Sequence, residues 1–297
     1  MAMCAEACWS DSEEALATTW AGADVETASS SSSGTRLRRP SDTRCSTQIE
    51  SLASEDKETL AASEDRTAIV LDWDDTLFPL THVYRDLHLD LQKPLQEQRI
   101  PEAMKIDVAE KLRRCSEEVE GLLRLATSLG EVMIVTLSKE TWVAESCRNF
   151  CPQLQECISD LGVRVLHATD GERLKGESMS SYSSRLKAQA IAEGTSRIGG
   201  SIWSSIVSIG DSDFERQGCR WAAEDLQARQ APSQVLVKTL KSMEQPTVEE
   251  LTKQLQHISR WLPWMVACSK DFDLTLQDVE MESLEVLEER LRTSQTE

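Results

Sequence analysis

Three carboxylates lie within four residues, directly after a short apolar run. The run covers residues 68–71, and Asp72, Asp74 and Asp75 follow it. A continuous apolar run of this length is typical of a buried strand in a parallel sheet. Clustered carboxylates at the end of such a strand are costly unless a cation neutralises them. Their hard oxygen atoms favour Mg²⁺, which needs only one or two carboxylates and keeps several waters.

A second acidic cluster follows the apolar run 202–209 and contains Asp211, Asp213 and Glu215. Two acidic strand ends in one parallel sheet can converge on one ion, because ligands bind at the carboxyl ends of such strands. Thr136 ends a third apolar run, 132–135, and could donate a hydrogen bond to an anion there. A lysine such as Lys187 could neutralise the same anion.

The apolar runs alternate with helical patterns. Strands are predicted at 68–71, 132–135, 163–166, 202–209 and 235–237. Helices are predicted at 106–125, 141–158 with an interruption near Pro152, 187–193, and after a capping box at 247–250. This alternation predicts an α/β fold, a Rossmann-like three-layer sandwich with a parallel central sheet.

The order of these motifs resembles that of the haloacid dehalogenase-like (HAD) superfamily of phosphohydrolases. The sequence Asp-Trp-Asp-Asp-Thr from Asp72 resembles the first motif, and Val-Met-Ile-Val-Thr ending at Thr136 resembles the second. Lys187 resembles the third motif, and Gly-Asp-Ser-Asp-Phe-Glu, which contains Asp211, resembles the fourth. The gaps between these four positions are 64, 51 and 24 residues, and the resemblance covers about residues 67–241. Four motifs in the expected order make a strong pattern.

The resemblance implies catalytic roles for four residues. Asp72 would attack phosphorus and form an aspartyl-phosphate, and Asp74 would act first as an acid and then as a base. Thr136 would bind a phosphoryl oxygen, with Ser138 as an alternative donor. Lys187 would balance the charge, although Lys139 and Lys175 also lie between the second and fourth motifs.

The resemblance also implies a Mg²⁺ site. Its expected ligands are Asp72, the backbone carbonyl of Asp74, and Asp211. Either Asp213 or Glu215 would be the further acidic residue at the metal, and Glu215 is the one assigned here. The ion would bridge the nucleophile and the phosphate and so reduce their mutual repulsion.

The predicted function is therefore a Mg²⁺-dependent phosphomonoester hydrolase with a phosphorylated substrate. In this superfamily, insertions called caps determine specificity. Residues 79–101 leave room for only a small insert, and the 50 residues between Thr136 and Lys187 leave none for a large cap. An open site would admit phosphoproteins or other bulky phosphoesters.

Three other functions fit parts of the pattern. The first is a HAD-like binding or regulatory protein with little or no turnover. The second is a phospho-accepting receiver domain, in which the order of the motifs should differ, because its lysine follows the last acidic motif. The third is a dehalogenase, which would not need Asp74 as its acid.

The chain as a whole has 297 residues and a formal net charge of −19. Binding of nucleic acid is not expected, because contacts to phosphate need clustered Lys and Arg. No run approaches the roughly 18 residues that span a bilayer, and the start lacks the pattern of a signal peptide. The nine cysteines form no metal or disulfide pattern. A cytoplasmic location with reduced thiols is the expectation.

Three segments are predicted. Residues 1–65 contain a run of five serines and then an acidic stretch, and are expected to be a disordered arm. Residues 66–276 would form the HAD-like domain. Residues 277–297 would be an acidic C-terminal helix or tail, with leucines at 284, 287 and 291 on one face. A protein partner could bind the arm or this helix.

Overall fold

The strands of the protein pair in parallel in a single sheet. The computed structural model describes residues 65–196, 202–230 and 234–276. Its strands are β1 Asp65–Leu71, β2 Glu131–Thr136, β3 Arg164–His167, β4 Ile202–Gly210, β5 Leu236–Lys241 and β6 Phe272–Thr275. Their order across the sheet is β3-β2-β1-β4-β5-β6, and every neighbouring pair is parallel.

Helices cover both faces of this sheet. They are α1 Glu102–Leu129, α2 Trp142–Phe150, α3 Pro152–Asp160, α4 Met179–Ser196, α5 Asp213–Arg229 and α6 Val248–Ala267. Ile69 and Leu71 face the core shared with α1, α2, α3 and α6. Ala68 and Val70 face the core shared with α4 and α5. This alternation is the period of two expected of a strand, and it confirms the α/β fold with a Rossmann-like sandwich.

The strand order reverses between β1 and β4. From β1 the chain moves outward to β2 and β3, and it then returns across the sheet to β4 on the other side of β1. In open α/β sheets, ligands bind in the crevice at the carboxyl ends of the two strands that flank this point. Asp72 directly follows β1 and Asp211 directly follows β4, so both acidic clusters lie at this crevice.

The structure differs from the sequence-based expectation at three places. Strand β6 lies within the segment 66–276 but was not predicted, although Phe272 and Leu274 are buried, because a four-residue edge strand among acidic residues gives only a weak pattern. The helix predicted at 141–158 is two helices, α2 and α3, because Cys151 leaves the helical conformation and Pro152 begins a new helix. Helix α5 was not predicted.

The capping box predicted at the start of α6 is confirmed. Glu250 N donates to Thr247 Oγ1 at 3.3 Å, and Thr247 N donates to Glu250 Oε2 at 2.9 Å. Between β1 and α1 the chain forms only a π-helical turn, His82–Asp86, and a 3₁₀ turn, Leu95–Glu97. No helix in the described ranges is long and apolar enough to cross a membrane. The predicted arm, apart from Asp65, and the helix at 277–297 lie outside the described residues.

Candidate active site

Asp72 extends the central strand by one residue into the crevice. Its backbone N–H donates to Ile209 O at 3.0 Å, which continues the pairing of β1 with β4. The buried carboxylate accepts a hydrogen bond from Lys187 at Oδ1, and no described residue donates to Oδ2. Burial raises the pKa of Asp72 against the opposing effect of Lys187, and the carboxylates of Glu215 and Asp74 raise it further.

Lys187 reaches this carboxylate from α4 and has three acceptors. Its ammonium binds Asp72, lies 2.7 Å from Glu215 Oε1, and donates to Val135 O at 2.8 Å. Burial favours the neutral amine, but the two carboxylates outweigh this effect and raise the pKa of Lys187 above its ordinary value. A Cβ on Gly218 of α5 would meet the Lys187 Cβ at 2.8 Å, so the two helices pack closely at this lysine.

Asp74 is held by donors from the last residue of β2, from the loop after β2 and from α2. Ser138 Oγ donates to Asp74 Oδ2 at 2.7 Å, and Thr136 Oγ1 lies at 3.2 Å from the same oxygen. The indole Nε1 of Trp142 donates to Oδ1 at 2.6 Å. Burial raises the pKa of Asp74, and the hydrogen bonds from Ser138 and Trp142 oppose that shift.

Asp75, the third acidic residue of the first cluster, binds the loop that follows it through Thr81. Its backbone has φ 55°, a left-handed conformation that Asp tolerates better than most residues. Its carboxylate accepts hydrogen bonds from Thr81 N at 2.8 Å and from Thr81 Oγ1. Burial raises the pKa of Asp75 against these hydrogen bonds.

The two acidic residues nearest Asp211 differ in their surroundings. Asp211 is partly buried, and none of the described residues donates a hydrogen bond to its carboxylate. Burial raises the pKa of Asp211, and the carboxylates of Asp72, Glu215 and Asp75 add to this shift. Asp213 is exposed, and it lies 3.5 Å from Arg216 and 3.7 Å from Lys241 instead of contacting Lys187.

Glu215 is buried, and both of its oxygens are engaged. Oε1 pairs with Lys187, and Oε2 accepts from Ser212 N at 3.0 Å and from Ser212 Oγ at 2.5 Å. The contacts between Glu215 Oε2 and Ser212 belong to the capping box at the start of α5. Glu215 therefore links the start of α5 to the ammonium of Lys187, and it is placed to hold this lysine.

The three candidate lysines occupy different places. Lys187 is 2 % exposed and lies among the site carboxylates. Lys139 is largely exposed and pairs with Glu145 at 2.7 Å. Lys175 is exposed in the loop between β3 and α4. Only Lys187 of these three contacts Asp72.

The chemistry of the unpartnered oxygens suits a hard divalent cation. Asp72 Oδ2 and the Asp211 carboxylate lack donors among the described residues, and their shared burial raises both pKa values. Two carboxylates with like charges repel each other, and a cation bound between them would reduce this repulsion. Within the described residues, no group of three or more His, Cys, Asp or Glu side chains is arranged to hold a metal ion. A cation here would therefore depend on two carboxylates, backbone oxygen and water.

Trp142 is the site residue that the sequence analysis missed. Unlike the carboxylates, hydroxyls and lysines of the motifs, Trp142 offers only an indole N–H. Its position at the start of the helix after the second motif is a usable signal, because that helix begins at the same edge of the sheet. A shallow groove of about 1060 Å³ lies elsewhere, beside β3, α4 and α5, and none of the site carboxylates lines it.

No family model, curated protein or solved structure matches this chain. Function is therefore inferred from the geometry of the crevice. That geometry combines one carboxylate with a free oxygen, a second carboxylate held by three donors, and a buried ammonium. Such an arrangement can support nucleophilic attack and proton transfer at one reacting centre.

Proposed function

We propose that the chain is a HAD-like, Mg²⁺-dependent phosphomonoester hydrolase that works through an aspartyl-phosphate on Asp72. One observation carries the proposal: Asp72 lies at the reversal point of the sheet, with one oxygen bound by Lys187 and the other without a donor. A carboxylate fixed in this way presents a single oxygen to an incoming phosphoryl group. Asp211, which also lacks a donor, lies at the same crevice.

Asp72 is the nucleophile in the first step. Its Oδ2 forms the bond to phosphorus while the bond from phosphorus to the leaving oxygen breaks. Lys187 holds Oδ1 and places a positive charge where negative charge builds up on the phosphoryl group. Glu215 and Val135 O hold the ammonium in place, since they accept its other two hydrogen bonds.

Asp74 transfers the protons. Burial raises the pKa of Asp74, the direction that an acid needs, and in the first step Asp74 would give its proton to the leaving oxygen as that bond breaks. In the second step, the Asp74 carboxylate takes a proton from the water that attacks phosphorus. The bond between phosphorus and Asp72 then breaks, and inorganic phosphate leaves.

Mg²⁺ would be held by Asp72, Asp211 and the backbone carbonyl of Asp74, and when bound it offsets the repulsion between Asp72 and the phosphoryl group. Glu215 is left out of this ligand set because Lys187 and Ser212 already occupy its oxygens. Thr136 and Ser138 are the candidate donors to the phosphoryl oxygens, because both hydroxyls point into the crevice at Asp74.

The short segment between β1 and α1 favours a large substrate. It contains a π-helical turn of five residues and a 3₁₀ turn of three. Because these two short turns are the only named elements in that segment, we propose a phosphoprotein or another bulky phosphoester as the substrate class.

The test is phosphate release by the purified chain from 4-nitrophenyl phosphate, with Mg²⁺ or with EDTA. Asp72→Asn keeps the shape of the nucleophile and removes its charge, and Asp213→Asn makes the same chemical change at an exposed position. We expect Mg²⁺-dependent release by the wild type and by Asp213→Asn, and none by Asp72→Asn. Circular dichroism establishes that each variant is folded.

Beryllium fluoride separates a narrow substrate preference from a missing site. With Mg²⁺ it mimics an acyl phosphate, and it should raise the melting temperature of the wild type but not of Asp72→Asn. Stabilisation without hydrolysis of the aryl phosphate would direct the search to other phosphoesters. A folded wild type that shows neither hydrolysis nor stabilisation would reject the proposal and favour a HAD-like binding protein.

A further inference from the structure

Trp142 makes the shortest of the three contacts to Asp74. Its indole is 7 % exposed and donates to Asp74 Oδ1 at 2.6 Å. The indole nitrogen is a donor only, and a buried indole usually finds an acceptor. The contact therefore constrains the orientation of the Asp74 carboxyl group.

Trp142 is itself fixed from two sides. Its ring meets the Phe78 ring edge to face, with centroids 6.0 Å apart. Ser146 Oγ donates to Trp142 O at 2.9 Å and accepts from Trp73 Nε1 at 3.0 Å. Trp73 stands between the two aspartates of the first motif and stacks on Phe78 at 6.2 Å. The start of α2 is thus tied to the loop that carries Asp72 and Asp74.

The donors to the two oxygens of Asp74 differ in whether they can turn towards another acceptor. Oδ2 accepts from the hydroxyls of Ser138 and Thr136. A hydroxyl can rotate and donate to another acceptor, such as a phosphoryl oxygen. Packing holds the indole of Trp142 in place, so its N–H bond points in one fixed direction. If a bound phosphoryl group drew these hydroxyls away, the contact from Trp142 would remain on Asp74.

We propose that Trp142 is a positioning residue that orients Asp74 for proton transfer to the leaving oxygen. The proposal rests on the proposed phosphohydrolase function and deepens it. Its consequence is a dependence on the leaving group: a substrate whose leaving oxygen needs a proton should depend on Trp142, and one with a stable leaving anion should not.

The experiment compares 4-nitrophenyl phosphate with phenyl phosphate, which is similar in shape but has a poorer leaving group. Trp142→Phe removes the N–H and keeps an aromatic ring. Trp261→Phe is the matched control, because Trp261 is 9 % exposed and lies on α6, where it packs against Trp264. We expect Trp142→Phe to lower kcat/KM roughly tenfold for phenyl phosphate and less than about threefold for the nitro compound.

Asp74→Asn should also lower kcat/KM selectively for phenyl phosphate, and by a larger factor. Trp261→Phe should change kcat/KM equally for the two substrates. An equal loss for the two substrates in Trp142→Phe, or no loss, would overturn the role of Trp142 while leaving the hydrolase function intact. A wild type that hydrolyses neither substrate would reject the hydrolase function, and the role of Trp142 with it. The activity of the wild type thus distinguishes the two failures.

A spectroscopic measurement tests the contact without turnover. The chain contains eight tryptophans, and the indole ¹H–¹⁵N signal of Trp142 is the one that disappears in Trp142→Phe. This signal should move in Asp74→Asn and stay in place in Asp213→Asn. A signal that is unchanged in Asp74→Asn would overturn the contact itself.

Discussion

A Cβ atom on Gly210 would lie 2.1 Å from Cγ of Glu215, so the last residue of β4 has no room for a side chain. Glu215 occupies that space because its carboxylate spans from Ser212 to Lys187. The side chain of Glu215 therefore connects the two features: it needs the space left by Gly210, and it holds the ammonium of Lys187 beside Asp72.

Gly210→Ala should displace Glu215 and disturb Lys187. We expect the free energy of unfolding to fall by about 2 kcal/mol or more, because the new methyl group overlaps packed atoms and the displaced carboxylate leaves its partners. Urea unfolding measures the effect. Gly121→Ala is the control, since a Cβ at that helical position meets nothing within 4 Å. It should raise stability by about 0.5–1 kcal/mol.

Glu215→Gln should weaken both stability and activity. Losing the charge opposite Lys187 should cost about 1–3 kcal/mol of unfolding free energy, and kcat/KM should fall roughly tenfold as the ammonium loses a fixed position. Asp213→Asn, on the exposed side of the same helix start, should stay within about 0.5 kcal/mol of the wild type. Equal effects in the two variants would contradict the assignment of Glu215 as the partner of Lys187.

Mg²⁺ should stabilise the protein through Asp211. A cation that binds only the folded state adds about 2.7 kcal/mol at a concentration one hundred times its dissociation constant. The melting temperature of the wild type should therefore rise with Mg²⁺ and return with EDTA. Asp211→Asn should lose most of this rise. Its metal-free form should melt no lower than that of the wild type, because one buried charge is gone. A rise that persists in Asp211→Asn would argue for a different site.

Lys238 gives a prediction about pH that does not involve the crevice. This strand residue is buried under α6, where it donates to Val266 O at 2.8 Å, and burial lowers its pKa to about 8. Between pH 8 and the ordinary lysine pKa near 10.5, the unfolded chain binds the proton and the folded chain does not. The free energy of unfolding should therefore rise with pH across that window, by up to about 3 kcal/mol from this group.

The comparison with Lys238→Met isolates this contribution, because other groups titrate in the same range. The stability difference between wild type and variant should change in favour of the wild type from pH 8 to pH 10.5. The lost hydrogen bond to Val266 adds only a constant offset. A difference that is independent of pH would mean that Lys238 keeps its ordinary pKa in the folded protein. Urea unfolding at four pH values is sufficient.

The sheet was largely predictable because its strands are buried on both faces. The runs 68–71 and 132–135 are continuous and apolar, the run 202–209 is mostly apolar with three serines, and each lies within an observed strand. The convergence of Asp72 and Asp211 followed from the same reasoning, since both come directly after such a strand. Strand β6 escaped because an edge strand of four residues, Phe-Asp-Leu-Thr, buries only one face and alternates.

The contacts inside the site were less predictable, because they depend on the orientation of side chains, which the sequence pattern does not give. Glu215 and Asp213 are two residues apart, yet one is buried against Lys187 and the other is exposed. On a helix, positions two apart point to different sides. The indole of Trp142 reaches Asp74 across 68 positions of sequence. Such a contact emerges only when β1 and the start of α2 are placed in three dimensions.

The all-parallel sheet also governs when the crevice can form. Thr67 in β1 and Ser205 in β4 share a hydrogen bond of 2.9 Å, although 138 positions separate them. Closing a loop of that length has an entropic cost before any contact compensates for it, and such long-range pairing slows folding. During synthesis, β1 leaves the ribosome early but cannot gain its β4 neighbour until the chain has grown past Asp211. Asp72 is thus among the first site residues to be made and among the last to be placed.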